Sequence, residues 1–159
     1  MFAVGDKIVH PMHGAGYVDS VVEKSVAGEK ARYYIMKIAN SGMVVMIPVD
    51  SCQTIGVRRI VSSEEALSIL DAFASLETGM TSNWNHRYRE NMLKIKSGDL
   101  TQVAQVVKGL MERDMEKGLS TGERKMLHSA KQIFLSEIVM ALSTTYEAVE
   151  ERINLAISG

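Results

Sequence analysis

The spacing of apolar residues changes near Ser62, and this change divides the chain of 159 residues into two parts. Before Ser62, short apolar runs alternate with turn segments such as Gly14-Ala15-Gly16 and Asn40-Ser41-Gly42. Strands of this length and spacing predict a small antiparallel barrel or curled sheet. After Ser62, apolar residues recur every three or four positions, which predicts helices. The chain is therefore predicted to be an α+β protein with domains at residues 1–61 and 62–159.

The first part contains several candidate strands, at Lys7 to His10, Tyr17 to Val26, Arg32 to Ala39, Met43 to Val49 and Ile55 to Val61. The run from Met43 to Pro48 is apolar at successive positions, so both faces of that strand would be apolar. Such a strand is either covered on both sides or meets a partner with its outer face.

Polar residues at capping positions indicate where the helices begin. Ser62 with Glu65, and Ser120 with Glu123, both match the capping box, in which a serine hydroxyl accepts from the third amide of the helix. The other helices are predicted to begin after Ser82 or Asn83, after Asp99 and after Thr144. Short links between these helices predict a compact bundle.

Trp84 is the only tryptophan and opens a segment that is locally basic. Between Trp84 and Lys96, four basic residues stand against one acidic residue, Glu90. Aromatic rings stack and wedge well, and arginine forks suit phosphate, so the segment suggests a nucleic-acid contact. An ordinary solvated helix face is the alternative interpretation of this charge cluster.

The same segment also has the spacing of a buried helix face, formed by Trp84, Tyr88, Met92 and Ile95. Such a stripe is usually core. For Trp84, at the end of the stripe, core and contact are both open. The net charge of −1 gives no overall attraction to polyanions. A local basic face on such a protein fits a modest affinity for DNA, with help from a second partner.

No motif in the sequence points to catalysis, a metal or a cofactor, and a non-enzymatic protein is expected. His10 and His13 lie in a turn with proline and glycine, and no Cys/His set completes a metal site. Cys52 is the single cysteine and is expected to be a small buried apolar residue. An enzyme with a hidden site in the helical bundle is the rival interpretation that these observations favour least.

Targeting signals are also lacking in the sequence. No apolar run approaches the length of a membrane span, and the first residues do not form a signal-peptide pattern. We therefore expect a cytoplasmic protein with no membrane partner. A monomer is the expected state, although exposed strand edges in the first domain offer pairing between copies.

Several motifs occur in a characteristic order along the chain. These are Val4 to Gly16, Asn83-Trp84-Asn85-His86-Arg87-Tyr88-Arg89, Ser97-Gly98-Asp99, and Arg113 to Leu127. Their order resembles the CarD/CdnL family of bacterial transcription regulators, and the first motif is shared with transcription-repair coupling factors. The resemblance covers nearly the whole chain.

The resemblance implies a Tudor-like N-terminal domain that docks on the β subunit of bacterial RNA polymerase. The polymerase contact positions of the family fall on Lys24 and Met46 in this sequence. Actinobacterial relatives carry arginine at both positions, so Lys24 keeps the charge without the planar fork and Met46 loses the charge. A contact that is more apolar, or of different strength, is therefore expected, without a salt bridge at Met46.

The resemblance further implies a helical domain that meets promoter DNA at the upstream edge of the melted region. Trp84 would wedge into the minor groove and stabilise the open promoter complex. Arg87 and Arg89 would hold the adjacent DNA backbone, and Arg124 also matches a basic position near DNA. This function would associate the protein with the nucleoid through polymerase. The alternative is a polymerase-binding adaptor without direct DNA contact.

Overall fold

The computed structural model describes residues 1–158 and shows a β-sheet followed by a bundle of helices, which confirms the α+β prediction. Gly159, the last residue of the second predicted domain, lies outside the described residues. The strands are β1 (Lys7–His10), β2 (Gly14–Val26), β3 (Glu29–Ile38), β4 (Val44–Pro48) and β5 (Arg58–Arg59).

The sheet is antiparallel in each of its pairings, with strand order β4-β3-β2-β1-β5. The β2–β3 hairpin turns at Ala27 and Gly28, which both have positive φ. Two successive positive φ angles give the turn whose twist matches a pair of strands. The register shifts once, between Val18 and Ser20. The core of this domain is formed by Ile8, Val18, Tyr34, Met36, Ile38, Ile47, Cys52 and Val57.

The predicted strand from Ile55 to Val61 is wrong over most of its length. The chain forms a 3-10 turn at Val49–Ser51 and a short helix, α1 (Cys52–Ile55), and only Arg58–Arg59 pairs with β1. Gly56 ends α1 at a φ of 96°, and the amides of Gly56 and Val57 donate to the Cys52 carbonyl oxygen. Backbone groups that a longer strand would need are therefore used to close the helix.

The helices after the sheet are α2 (Ser63–Ala72), α3 (Trp84–Lys96), α4 (Leu100–Lys117), α5 (Thr121–Leu142) and α6 (Tyr146–Ser158), with a 3-10 turn at Phe73–Ser75. Both predicted capping boxes have the expected amide bond. Ser62 Oγ accepts from the Glu65 amide at 3.1 Å, and Ser120 Oγ accepts from the Glu123 amide at 3.2 Å. Within residues 1–158, no helix is long and apolar enough to cross a membrane.

The capping residue of the last helix is Thr145, one residue later than the predicted Thr144. Thr145 Oγ1 accepts from the Ala148 amide at 3.2 Å and takes the capping role. Ser143 has a φ of 52°, and the Thr144 amide donates back to the Val139 carbonyl oxygen. Thr144 therefore belongs to the end of α5, because the left-handed residue turns the chain there.

An ion pair between a partly exposed arginine and a buried carboxylate joins the sheet to the helical bundle. Arg58 on β5 donates to both carboxylate oxygens of Glu137 on α5, at 2.7 and 2.8 Å. The Val61 amide donates to the same carboxylate at 2.8 Å, and Arg58 Nε donates to the Gly98 carbonyl oxygen at 2.9 Å. Glu137 is fully buried, and Arg58 and the Val61 amide satisfy its carboxylate oxygens.

The turn between β1 and β2 also rests on α5. The Ala15 amide donates to Ser136 Oγ at 2.9 Å. Gly14 has a φ of 97°, and an ideal Cβ there would lie 2.6 Å from Ser136 Oγ. The contact therefore requires glycine, both for its backbone angle and for the close approach.

Candidate nucleic-acid interface

Trp84 is the first residue of α3, and its indole is partly covered and partly open to solvent. Asn83 caps the helix by accepting from the His86 amide at 3.0 Å. The indole stacks on Tyr88, with ring centroids 5.2 Å apart and planes 20° apart, and its Nε1 donates to Ser120 Oγ at 3.0 Å. Because 42% of Trp84 is exposed, the ring is neither a core residue nor a free side chain.

The structure corrects the expectation that Arg87 holds the DNA backbone. Arg87 is 1% exposed and forms a bidentate ion pair with Glu123, with N–O distances of 2.7 and 3.1 Å. Its remaining donor group, Nη1, bonds the carbonyl oxygens of Thr81 and Ser82 at 3.0 and 3.1 Å. All three guanidinium nitrogens therefore bond to groups inside the protein, and Arg87 fastens α3 to the first turn of α5.

The Glu123 carboxylate stays charged in this pair. The hydrogen bond from Arg87 is the main reason that the pKa of Glu123 lies below its usual value, although burial acts in the opposite direction. The charges of Arg87 and Arg113 lower that pKa further. Because Arg87 is neutralised by Glu123, it adds little net positive charge to the surface around Trp84.

The most buried stripe of α3 differs from the predicted one. Arg87, Asn91 and Ile95 are buried, whereas Tyr88 and Met92 are partly buried against the same core. The burial of Arg87 and Asn91 leaves no trace in the spacing of apolar residues, because both residues are polar. Their burial depends on partners elsewhere in the fold.

Arg89 and Arg124, the other two predicted DNA contacts, are exposed. Arg89 lies on α3 one turn after Asn85 and two turns before Lys96, so these residues share a side of the helix. Arg124 lies on the first turn of α5, where its guanidinium donates to the Leu119 carbonyl oxygen at 3.3 Å and approaches Asp114 at 4.0 Å. Both charges are available to an anionic partner.

Lys125 is a further basic residue beside Trp84 that the sequence reasoning missed. It is exposed and lines a groove of about 210 Å³ together with Tyr88, Met92 and Gly122. Lys125 follows Gly122 by one helical turn, and Gly122 lies against the Trp84 ring. Only the packing of α5 against α3 identifies this lysine, because the two segments are distant in sequence.

Lys24 and Met46, the predicted polymerase contacts, lie on the same face of the sheet. Met46 on β4 pairs with Ile35, and Lys24 on β2 pairs with Ala31, which is four residues earlier on β3. Residues four apart on a strand point to one side, so ordinary strand spacings place Lys24 and Met46 about 16 Å apart. Both are exposed, and Val44 extends the exposed apolar surface along β4. We call Lys24, Ala31, Ile35, Val44 and Met46 the outer sheet face.

His10 and His13 lie against each other in the turn between β1 and β2. Their ring centroids lie 4.5 Å apart, and His10 Nδ1 accepts from the Met12 amide at 3.1 Å. Burial, with a smaller effect from His13, lowers the pKa of His10 to about 4. Within the described part of the chain, no group of three or more potential ligands could hold a metal ion.

Comparison with known proteins gives matches along most of the chain. Residues 2–61 match the CarD-like/TRCF RID domain, and residues 68–154 match the C-terminal domain of CarD. The putative transcription factor YdeB of Bacillus subtilis (strain 168) is 35% identical over 150 residues, which cover 94% of this chain and 98% of YdeB.

Two solved structures match the N-terminal part. The solution structure of the 72-residue N-terminal domain of Myxococcus xanthus CarD is 39% identical, covers 37% of this chain and 79% of that one, and has a TM-score of 0.33. The structure of CdnLNt from Myxococcus xanthus is 37% identical, covers 39% and 87% of the two chains, and has a TM-score of 0.34. The two domain matches and the identity to YdeB show that this chain belongs to the CarD/CdnL family of bacterial transcription regulators.

Proposed function

We propose that this protein docks on the β subunit of RNA polymerase and stabilises the open promoter complex by wedging Trp84 into DNA. Membership of the family supports the regulatory role. The observation that carries the DNA contact is the half-exposed indole, which is held in place by Tyr88 and Ser120. Lys125 lines the adjacent groove with Tyr88 and Gly122.

The wedge would act by binding the melted promoter more tightly than the closed duplex. Inserting an aromatic or apolar side chain between base pairs unstacks them, which costs about a few kcal/mol per step. That cost is already met where polymerase has opened the DNA, so Trp84 gains most at the edge of the bubble. A ligand that prefers one of two states shifts the equilibrium toward that state.

The backbone contacts would come from Arg89, Arg124 and Lys125. Each phosphate that they neutralise adds roughly −0.9 to the slope of log affinity against log salt. Arg87 has a different part in this proposal, because its ion pair with Glu123 fixes the helix that carries Trp84. With few free cations and a net charge of −1, affinity for DNA alone is expected to be weak.

Docking through the outer sheet face would compensate for that weak affinity. Met46 and Val44 offer an apolar surface and Lys24 a positive charge. A protein held on polymerase reaches the promoter at a high effective concentration, so weak DNA contacts suffice. The ion pair between Arg58 and Glu137 supports this mechanism, since it links the sheet to the helical bundle.

Footprinting of a promoter with polymerase present tests the proposal. We expect the protein to add protection at the upstream edge of the bubble, and we expect Arg89→Ala with Lys125→Ala to remove it. Arg152→Ala is the matched control, because Arg152 is an exposed arginine on α6 that pairs with Asp71. If polymerase binds the protein and no added protection appears, the adaptor function without DNA contact is the better explanation.

A further inference from the structure

The Ser120 hydroxyl contacts Trp84 and caps α5 at the same time. Trp84 Nε1 donates to Ser120 Oγ at 3.0 Å, and the Glu123 amide donates to the same oxygen at 3.2 Å. A hydroxyl oxygen has two acceptor lone pairs, so both bonds can form together. The hydroxyl also lies 3.4 Å from Glu123 Oε1, to which it donates its proton. The indole is therefore linked to the first turn of α5.

Two residue pairs join α3 to α5, and both pairs have the same separation along the sequence. Trp84 bonds Ser120, and Arg87 bonds Glu123, and each pair is separated by 36 positions. The first turns of the two helices therefore lie side by side in register. The buried ion pair fixes the backbone of both turns, which leaves the orientation of the indole to its own contacts.

Gly122 allows the first turn of α5 to approach the indole. An ideal Cβ at Gly122 would lie 3.6 Å from the Trp84 ring and 3.8 Å from the Tyr88 ring. These are ordinary van der Waals distances, so alanine fits there, whereas a longer side chain would displace the ring. The Trp84 indole is thus bounded by Tyr88, by Gly122 and, at its single polar atom, by Ser120.

We propose that Ser120 is a positioning residue, which sets the orientation in which the Trp84 indole meets DNA. This inference rests on the proposed function of Trp84. A ring that rotates freely would have to be ordered when it enters the DNA, and a ring that is already fixed avoids this entropic cost. Ser120 acts here through Trp84 and does not itself have to touch DNA.

Fluorescence of the free protein tests the positioning directly, because Trp84 is the only tryptophan. We expect Ser120→Ala to lower the fluorescence anisotropy and shift the emission of Trp84. Ser120→Thr, which keeps the hydroxyl, is expected to restore both. Ser62→Ala is the matched control: Ser62 caps α2 with the same amide bond, and its loss should leave the emission unchanged.

A second variant tests the position without removing the hydroxyl. Gly122→Leu should alter the emission of Trp84 by crowding the ring, whereas Gly122→Ala should leave it unchanged. Urea unfolding of each variant gives the folded fraction, so that every comparison is made between folded proteins.

The lifetime of open complexes then links position to function. We expect Ser120→Ala to shorten the lifetime roughly two- to tenfold, as one net hydrogen bond would, and Ser62→Ala to leave it unchanged. Equal anisotropy and emission in wild type and Ser120→Ala, or an equal loss of lifetime in Ser62→Ala, would overturn the positioning role. If Trp84→Ala leaves the lifetime unchanged, the proposed function itself fails, and the role of Ser120 in DNA binding fails with it.

Discussion

Arg87 and Glu123 form a buried bidentate ion pair that fixes the start of α3 against the first turn of α5. Neither side chain is more than 2% exposed. The pair holds in place the two turns that carry Trp84 and Ser120. Its function is therefore structural, and a change at Arg87 should act on stability before it acts on DNA.

Arg87→Met should lower the free energy of unfolding by about 3–5 kcal/mol, because Glu123 would remain buried without its partner. Urea denaturation measures this loss. Arg89→Met is the matched control on the same helix, and the exposed position should change stability by no more than about 0.5 kcal/mol. Equal effects of the two substitutions would contradict the anchoring role of Arg87.

Acid should destabilise the protein through Glu123. The folded pKa of Glu123 is lowered from 4.5, so the unfolded state takes up the proton first as the pH falls. The stability that the charged Glu123 carboxylate contributes is fully present above pH 4.5, and it is lost as the pH falls below 4.5 through the folded pKa of Glu123. Urea unfolding between pH 7 and pH 3 measures this loss of stability in wild type and in the double variant Arg87→Met/Glu123→Leu. The double variant should lose less stability in acid, and parallel curves would count against the prediction.

Gly14→Ala should disturb the packing of the β1–β2 turn on α5. Both the positive φ and the approach to Ser136 oppose a side chain, and we expect a loss of roughly 2–4 kcal/mol in the free energy of unfolding. Gly5→Ala separates the two causes, because Gly5 has a φ of 92° and open space around its Cβ position. That control should cost only about 1–2 kcal/mol. If the two variants are equally stable, the contact with Ser136 is not required.

Met46→Glu should weaken binding to the polymerase β subunit, because it places a charge in the exposed apolar part of the outer sheet face. Pull-down with purified polymerase measures the effect. Met115→Glu is the matched control, since Met115 is also exposed but lies on α4. An equal retention of polymerase by both variants would place the docking surface elsewhere on the protein.

The sequence predicts the elements whose cause is local. Ser62 and Ser120 sit at helix starts because their hydroxyls bond amides three residues later. The burial of Arg87 has no such local signal, since its partner lies 36 positions away. Lys125 joins the Trp84 site for the same reason, through the packing of α5 on α3. Tertiary contacts between distant polar residues are what the periodicity of apolar residues leaves out.

The lifetime of open complexes after competitor challenge tests the central claim most directly. The comparison is between polymerase alone, polymerase with wild type and polymerase with Trp84→Ala. We predict that wild type lengthens the lifetime and that Trp84→Ala shortens it again by roughly 5- to 150-fold, as the loss of about 1–3 kcal/mol of stacking implies. Trp84→Ala should unfold at nearly the wild-type urea concentration, because the indole is half exposed. An unchanged lifetime with wild type bound to polymerase, or full activity in a folded Trp84→Ala, would contradict the wedge.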